Sequence, residues 1–254
     1  MPWDKFFKEN KEILNIYDEI EIKIDKFINE GNDVNMINYL NETPIIDASR
    51  YGYTEMVRIL INKGANVNVK NNFNRTPIHY SCILGCLEML KILVNNGGNV
   101  NTKDIYNNTP LHDASRYGNL EIIKILINKG ADLNVKNNYD STVLHYASNI
   151  GNIELVKLLI NENADINSKD GYNETPLHDA CRGDNLEIVK LLVENGSYLN
   201  ALNNKELKPI DIATNIEIKE YLSTAKQMSD NRKIYPYFWV IVYNNIHKNN
   251  LIQY

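Results

Sequence analysis

The chain has 254 residues, is 43% hydrophobic and 23% charged, and carries a formal net charge of -5 from 27 basic and 32 acidic residues. This is an ordinary folded-protein composition, long enough for one large domain or two small ones. Its mild acidity excludes a general electrostatic pull towards nucleic acid or an anionic membrane surface.

Three cysteines, Cys82, Cys86 and Cys181, are too few for a disulfide framework. They fit a reducing compartment, the cytoplasm of the cell or of a host. Cys82 and Cys86 stand four apart on a predicted helix, but no second pair accompanies them, so no metal site is expected. The charged start, Met1-Pro2-Trp3-Asp4-Lys5, lacks the apolar stretch of a signal peptide. No run of about 18 apolar residues predicts a membrane span.

In chain order, residues 11–30 read as one amphipathic helix, and Gly31-Asn32-Asp33-Val34-Asn35 matches the end of a repeat. Residues 1–37 are therefore a degenerate N-terminal capping repeat. Thr-Pro then recurs at Thr43-Pro44, Thr76-Pro77, Thr109-Pro110 and Thr175-Pro176, with Thr142-Val143 filling the gap and Lys208-Pro209 extending the series. Every step is 33, and the pattern between the dipeptides is kept. Five full units follow, 38–70, 71–103, 104–136, 137–169 and 170–202, making a domain of residues 38–202.

The unit 104–136 shows the local logic. Thr109 caps a first helix and Pro110 occupies its first position, where a missing N–H costs nothing. Leu111, Ala114 and Ser115 make it a short helix that permits close packing, and Gly118-Asn119 breaks it. Leu120 through Ile127 form a second helix that is apolar on most of its circumference. Gly130 supplies a left-handed cap, and Asp132-Leu133-Asn134 begins a hairpin turn into the next unit. Neither helix can bury its apolar side alone, so neighbours must stack.

Residues 203–225 form a partial C-terminal repeat with a last helix pair over 211–213 and 216–222. Residues 226–254 leave the pattern: 227–231 reads as a linker, and Ile234–Tyr243 is too apolar to stand in water. That tail either caps the final repeat or docks a partner, including self-association of a second copy through 232–243. It is too short to span a membrane.

The Thr-Pro-Leu-His, Gly-x-x-Glu-Ile-Val-Lys-Leu-Leu and Gly-Ala-Asp-Val-Asn signatures resemble the ankyrin repeat family over about residues 20–225. The resemblance implies an all-α fold, an ankyrin-repeat solenoid of stacked helix-turn-helix units with β-hairpin-like loops. Val143 and Asn163 depart from the family pattern and imply slightly softer helix ends in the fourth unit; Lys208 suits a terminal unit. Ankyrin arrays are also hydroxylated at the hairpin asparagine, which corresponds here to Asn68, Asn101, Asn134, Asn167 and Asn200. Their histidines hydrogen-bond the neighbouring loop, which assigns His79, His112, His145 and His178 a structural role in place of a catalytic or metal-binding one.

No nucleophile elbow, zinc-binding His-Glu-x-x-His or phosphate loop is found, so no catalytic residue, cofactor or metal is expected and the chain is not read as an enzyme. Candidate contact residues are those that vary while the scaffold repeats. The third unit position reads Leu40, Phe73, Tyr106, Tyr139, Tyr172, Lys205, an aromatic row at the hairpin turns. It is either local packing between hairpins or a row of interface contacts. On the first helix, which faces the concave side in this family, the tenth position reads Asp47, Tyr80, Asp113, Tyr146, Asp179 and the thirteenth Arg50, Ile83, Arg116, Asn149, Arg182. This 66-residue alternation, widened by Tyr51 and Tyr117, reads as a strip contacting a protein surface, or as weak intrahelical ion pairs.

The leading expectation is a protein-protein interaction scaffold, an adaptor or inhibitor whose partner is another protein. One alternative is a regulatory subunit or effector module acting with a separate catalytic chain. A nucleic-acid or nucleotide binder is disfavoured, because aspartates accompany Arg50, Arg116 and Arg182.

Overall fold

The computed structural model describes residues 2–13, 17–38 and 41–234. Leu40 and the tail from 235 onwards lie outside them. Among the described residues the fold is all-α, with fourteen α-helices, one 3-10 turn at Lys11–Ile13 and no strand. The chain divides into two compact units, 1–165 and 166–254.

The first unit opens with α1 (Pro2–Glu9) and α2 (Tyr17–Asn29). The single helix expected over 11–30 is thus corrected: the α-helix starts at Tyr17, and a separate helix precedes it. Trp3 and Phe6, three residues apart, give α1 its own apolar face. Both are buried, and their rings lie 4.6 and 5.0 Å from that of Phe27. The Trp3 indole N–H donates to the Asp33 carbonyl at 2.9 Å, which ties α1 to the end of the capping repeat.

Four helix pairs follow: α3 (Pro44–Arg50) with α4 (Thr54–Asn62), α5 (Pro77–Ile83) with α6 (Leu87–Asn95), α7 (Pro110–Tyr117) with α8 (Leu120–Asn128), and α9 (Val143–Ile150) with α10 (Ile153–Asn161). Each first helix starts after an extended threonine and, except in α9, on proline. Its eleventh and twelfth unit positions are small and buried: Ala48-Ser49, Ser81-Cys82, Ala114-Ser115 and Ala147-Ser148. Small side chains let α3, α5, α7 and α9 pack directly on one another as one layer. Behind them α2, α4, α6 and α8 form a second layer, and α10 packs on α9. Between the layers lie Ile45, Met56, Leu60, Ile78, Leu90, Leu111, Ile123, Leu126, Leu144, Leu155 and Leu159, all fully or almost fully buried.

Helices of seven to nine residues are too short to persist alone. Each buried aliphatic side chain contributes roughly 1.5–3 kcal/mol, which offsets the ordering entropy only when the next pair is present.

Second helices end on a left-handed residue: Gly64, Gly97 and Gly130, and Asn163 in the fourth repeat at φ 64°. Asn163 closes the same turn as the glycines, since the Ala164 N–H reaches the Leu159 carbonyl at 2.9 Å as Ala65 reaches Leu60. Asparagine tolerates the conformation, so the turn geometry of this repeat matches that of its neighbours.

The second unit contains α11 (Pro176–Arg182), α12 (Leu186–Glu194), α13 (Pro209–Ile212) and α14 (Ile216–Ile234). There α11 packs on α12 and α13, and α14 packs on α12 and α13. Residues 227–231, expected as a linker, are part of α14. They hold neither glycine nor proline to break the helix.

Candidate protein-interaction surface

The loops between repeats are built by an acceptor at the first unit position. In the first unit the side-chain oxygen of Asn71 accepts the backbone N–H groups of Phe73 and Arg75, at 3.0 and 3.1 Å. Asp104 does the same for Tyr106 and Asn108, and Asn137 for Tyr139 and Ser141. In the second unit Asp170 and Asn203 repeat the arrangement. The fourth position then adopts positive φ, at Asn74, Asn107, Asp140, Asn173 and Glu206, a conformation that asparagine and aspartate accept most readily after glycine.

This clamp holds the backbone of the third residue. Loops are also stitched together: the Phe73 carbonyl accepts from the Ile105 N–H at 3.0 Å and the Tyr106 carbonyl from Asn138 at 2.9 Å, and within the second unit Tyr172 accepts from Asn204. The side chains of Phe73, Tyr106, Tyr139 and Tyr172 nevertheless stand 47–66% exposed, and none meets another ring among the described residues. A fixed backbone carrying exposed rings is what the sequence row becomes. Leu40 lies outside the described residues.

Histidine occupies the third position of α5, α7, α9 and α11 and turns inwards, whereas α3 has Ile46 there. Nδ1 of His79 accepts the Thr76 backbone N–H at 3.1 Å and faces the Thr76 hydroxyl at 3.0 Å. Its Nε2 then carries the proton and donates to the Asn108 carbonyl of the next repeat at 3.3 Å. His112 links Thr109 to Ser141 in the same way, and His178 links Thr175 to Leu207. His145 makes the Thr142 contacts. Burial drives His79 and His112 down to about 4, which keeps both rings neutral at pH 7. Each threonine and its histidine form a capping box, in which the threonine side chain takes up the histidine's backbone N–H while the ring accepts the threonine's own, so the expected threonine cap is present with histidine as its second member.

The Asp–Arg/Tyr strip joins adjacent repeats of the first unit, and part of it is buried by doing so. The Arg50 guanidinium reaches the Tyr80 hydroxyl at 3.4 Å and lies 5.4 Å above its ring; Arg116 treats Tyr146 alike, at 3.3 and 5.2 Å. Asn71 and Asn137 donate to the same two hydroxyls at 2.8 Å. Arg50 also pairs with the buried Glu42, which in turn accepts from Asn71. Tyr80 is only 8% exposed and Asp113 only 1%, so neither is available to a partner.

In the second unit the tenth position after α11 is Ile212, not tyrosine, and Arg182 turns to Glu174 and to Asp179 at 2.9 Å. Asp47 stands 4.0 Å from Arg50. Burial pushes Asp47 up to about 6, and Asp113 and Asp179 up to about 7. What the strip leaves outside is Arg116, Asn149 and Arg182 together with the rings of Tyr51 and Tyr117.

Sequence reading passed over two sets of residues. Leu84 and Ile150 fill the position of Tyr51 and Tyr117 and are also exposed, so α3, α5, α7 and α9 each end on, or are followed by, a large solvent-facing side chain; comparing the fourteenth unit position would have found it. The first- and fifth-position polar residues Asn71, Asn137, Glu42 and Glu174 carried no signal until their partners were known. Cys82 and Cys181 fill the buried slot held by serine in other repeats, and no group of three ligating side chains gathers among the described residues. A depression of about 390 Å³ between α4 and α6 is crossed by the Arg58–Glu88 ion pair. No described helix is long and apolar enough to cross a membrane.

Against known families, the model described as ankyrin repeats (3 copies) matches residues 21–104, 63–137, 111–203 and 144–231. No curated protein matches the chain.

Proposed function

Because the chain belongs to the ankyrin repeat family, whose repeats are in general protein–protein interaction modules, we propose that it is a non-catalytic adaptor or inhibitor. It holds its partner through the loop tips and the exposed ends of the first helices. One observation carries this reading. Large rings recur at one position in successive repeats, on a hydrogen-bonded backbone, and packing leaves them about half exposed. Monomeric surfaces do not normally line up rigid aromatics in water, whereas interfaces concentrate them. Holding the loop beforehand also removes part of the ordering cost of association. The three free cysteines support action in a reducing compartment.

The test compares the full chain with the Phe73→Ala/Tyr106→Ala/Tyr139→Ala variant as baits in a native lysate. The expected outcome is at least one protein retained by the parent and lost by the variant, with identical thermal melts. An unchanged set of retained proteins would place the interface elsewhere.

A further inference from the structure

The last residue of four successive repeats is lysine: Lys70, Lys103, Lys136 and Lys169. Each precedes an aromatic tip by three residues, as in Lys70 and Phe73, Lys103 and Tyr106, Lys136 and Tyr139. All are exposed, and Lys70 and Lys103 form no ion pair among the described residues. The acidic groups around them in the first unit are few. Asp104 is buried, with its carboxylate bound to the Tyr106 and Asn108 N–H groups and 3.5 Å from the Arg75 Nε. Asp140 is exposed at one tip, and Asp132 and Asp165, each four residues before the lysine of its repeat, are exposed as well, with Asp132 accepting the Asn134 N–H. In a chain of net charge -5, this face alternates cations with rings.

Resting on the protein-interaction reading, we propose that this face takes an extended acidic segment of a partner protein. Carboxylates of the segment meet Lys70, Lys103 and Lys136, and its apolar side chains meet Phe73, Tyr106 and Tyr139. Repeats whose first helices pack directly recur at about 8–10 Å, and a segment in the extended polyproline II form rises about 3.1 Å per residue with three residues per turn. One residue in three of the segment therefore faces each lysine, and another in three faces each ring. The chain's own residues 235–254 contain no aspartate or glutamate, so they lack the charge to occupy the row. Single-stranded nucleic acid offers charge and stacking bases, but its phosphates recur more closely than the lysines, and a tip aspartate opposes them.

The experiment selects a random dodecapeptide library on the full chain, then measures the recovered peptides by fluorescence anisotropy. Expected are peptides of net negative charge with acidic residues three apart. Their binding weakens about tenfold or more in Lys70→Glu/Lys103→Glu/Lys136→Glu and also in the triple aromatic variant, while the melts stay unchanged. Neutral or basic peptides, no enrichment, or tighter binding of labelled twelve-residue oligothymidylate would overturn the proposal. Peptides lost on aromatic replacement but indifferent to lysine reversal would sink the acidic partner and leave the interaction surface standing. Indifference to both would remove both.

Discussion

Asp113 lies inside the first unit, with one carboxylate oxygen that has no hydrogen-bond partner. Burial raises it to about 7 and the neighbouring Asp104 adds to this, while the Arg75 and Arg116 guanidinium groups hold it down. A carboxyl whose folded value lies above its unfolded 3.8 stabilises the fold below pH 4 and loses that contribution as pH rises through 7. His79 and His112 act in the opposite sense. Their stabilisation is complete above pH 6.5 and disappears as pH falls through about 4. The two sets oppose each other between pH 4 and 7. Removing one member separates them: Asp113→Asn should raise stability by an amount on the order of 2 kcal/mol at pH 8 and by less at pH 5. Urea denaturation at both pH values checks this, and a loss of stability at pH 8 would show that the charged form is favoured. The periodic histidines were legible as structural because they recur once per unit. The burial of Asp113 was not, since an aspartate three residues before an arginine reads identically on a surface.

At the scale of the element, caps and packing divide the work. The fourth repeat starts α9 on Val143 where its neighbours have proline, and ends α10 before Asn163 where they have glycine. Both keep the neighbours' geometry, so the consensus residues would fit without strain. Val143→Pro combined with Asn163→Gly should add about 0.5–1.5 kcal/mol, by restricting the unfolded chain and relieving the left-handed side chain. A lowered urea midpoint would contradict that. Elsewhere the local signals were incomplete. Helix α1 depends on Trp3 and Phe6 meeting Phe27, a contact that the 33-residue pattern does not contain. The extension of α14 through residues 227–231 carries no stop signal and no apolar stripe to announce it. The 66-residue alternation was visible as a pattern, but only geometry shows Arg50 and Arg116 reaching forward to tyrosines 30 residues on.

For the molecule as a whole, stability resides in the faces between neighbours. Within the second unit α13 and α14 cover α11 and α12, where Leu177, Ile188 and Leu192 are fully buried. Deleting residues 203–254 would open that face. The expected result is a lower melting temperature with self-association on light scattering; a monomer melting like the parent would show that the last helices contribute nothing. The sequence by itself determined the repeat length, the helix pairs, their caps and the family, because each is written in local periodicity and turn chemistry. It also placed the aromatic row, since a position freed from packing varies in type. Only the tertiary structure decided which polar residues remain outside. Whether a tyrosine or an aspartate faces water depends on what the adjoining repeat sets against it, and one repeat's sequence holds no record of its neighbour's distance.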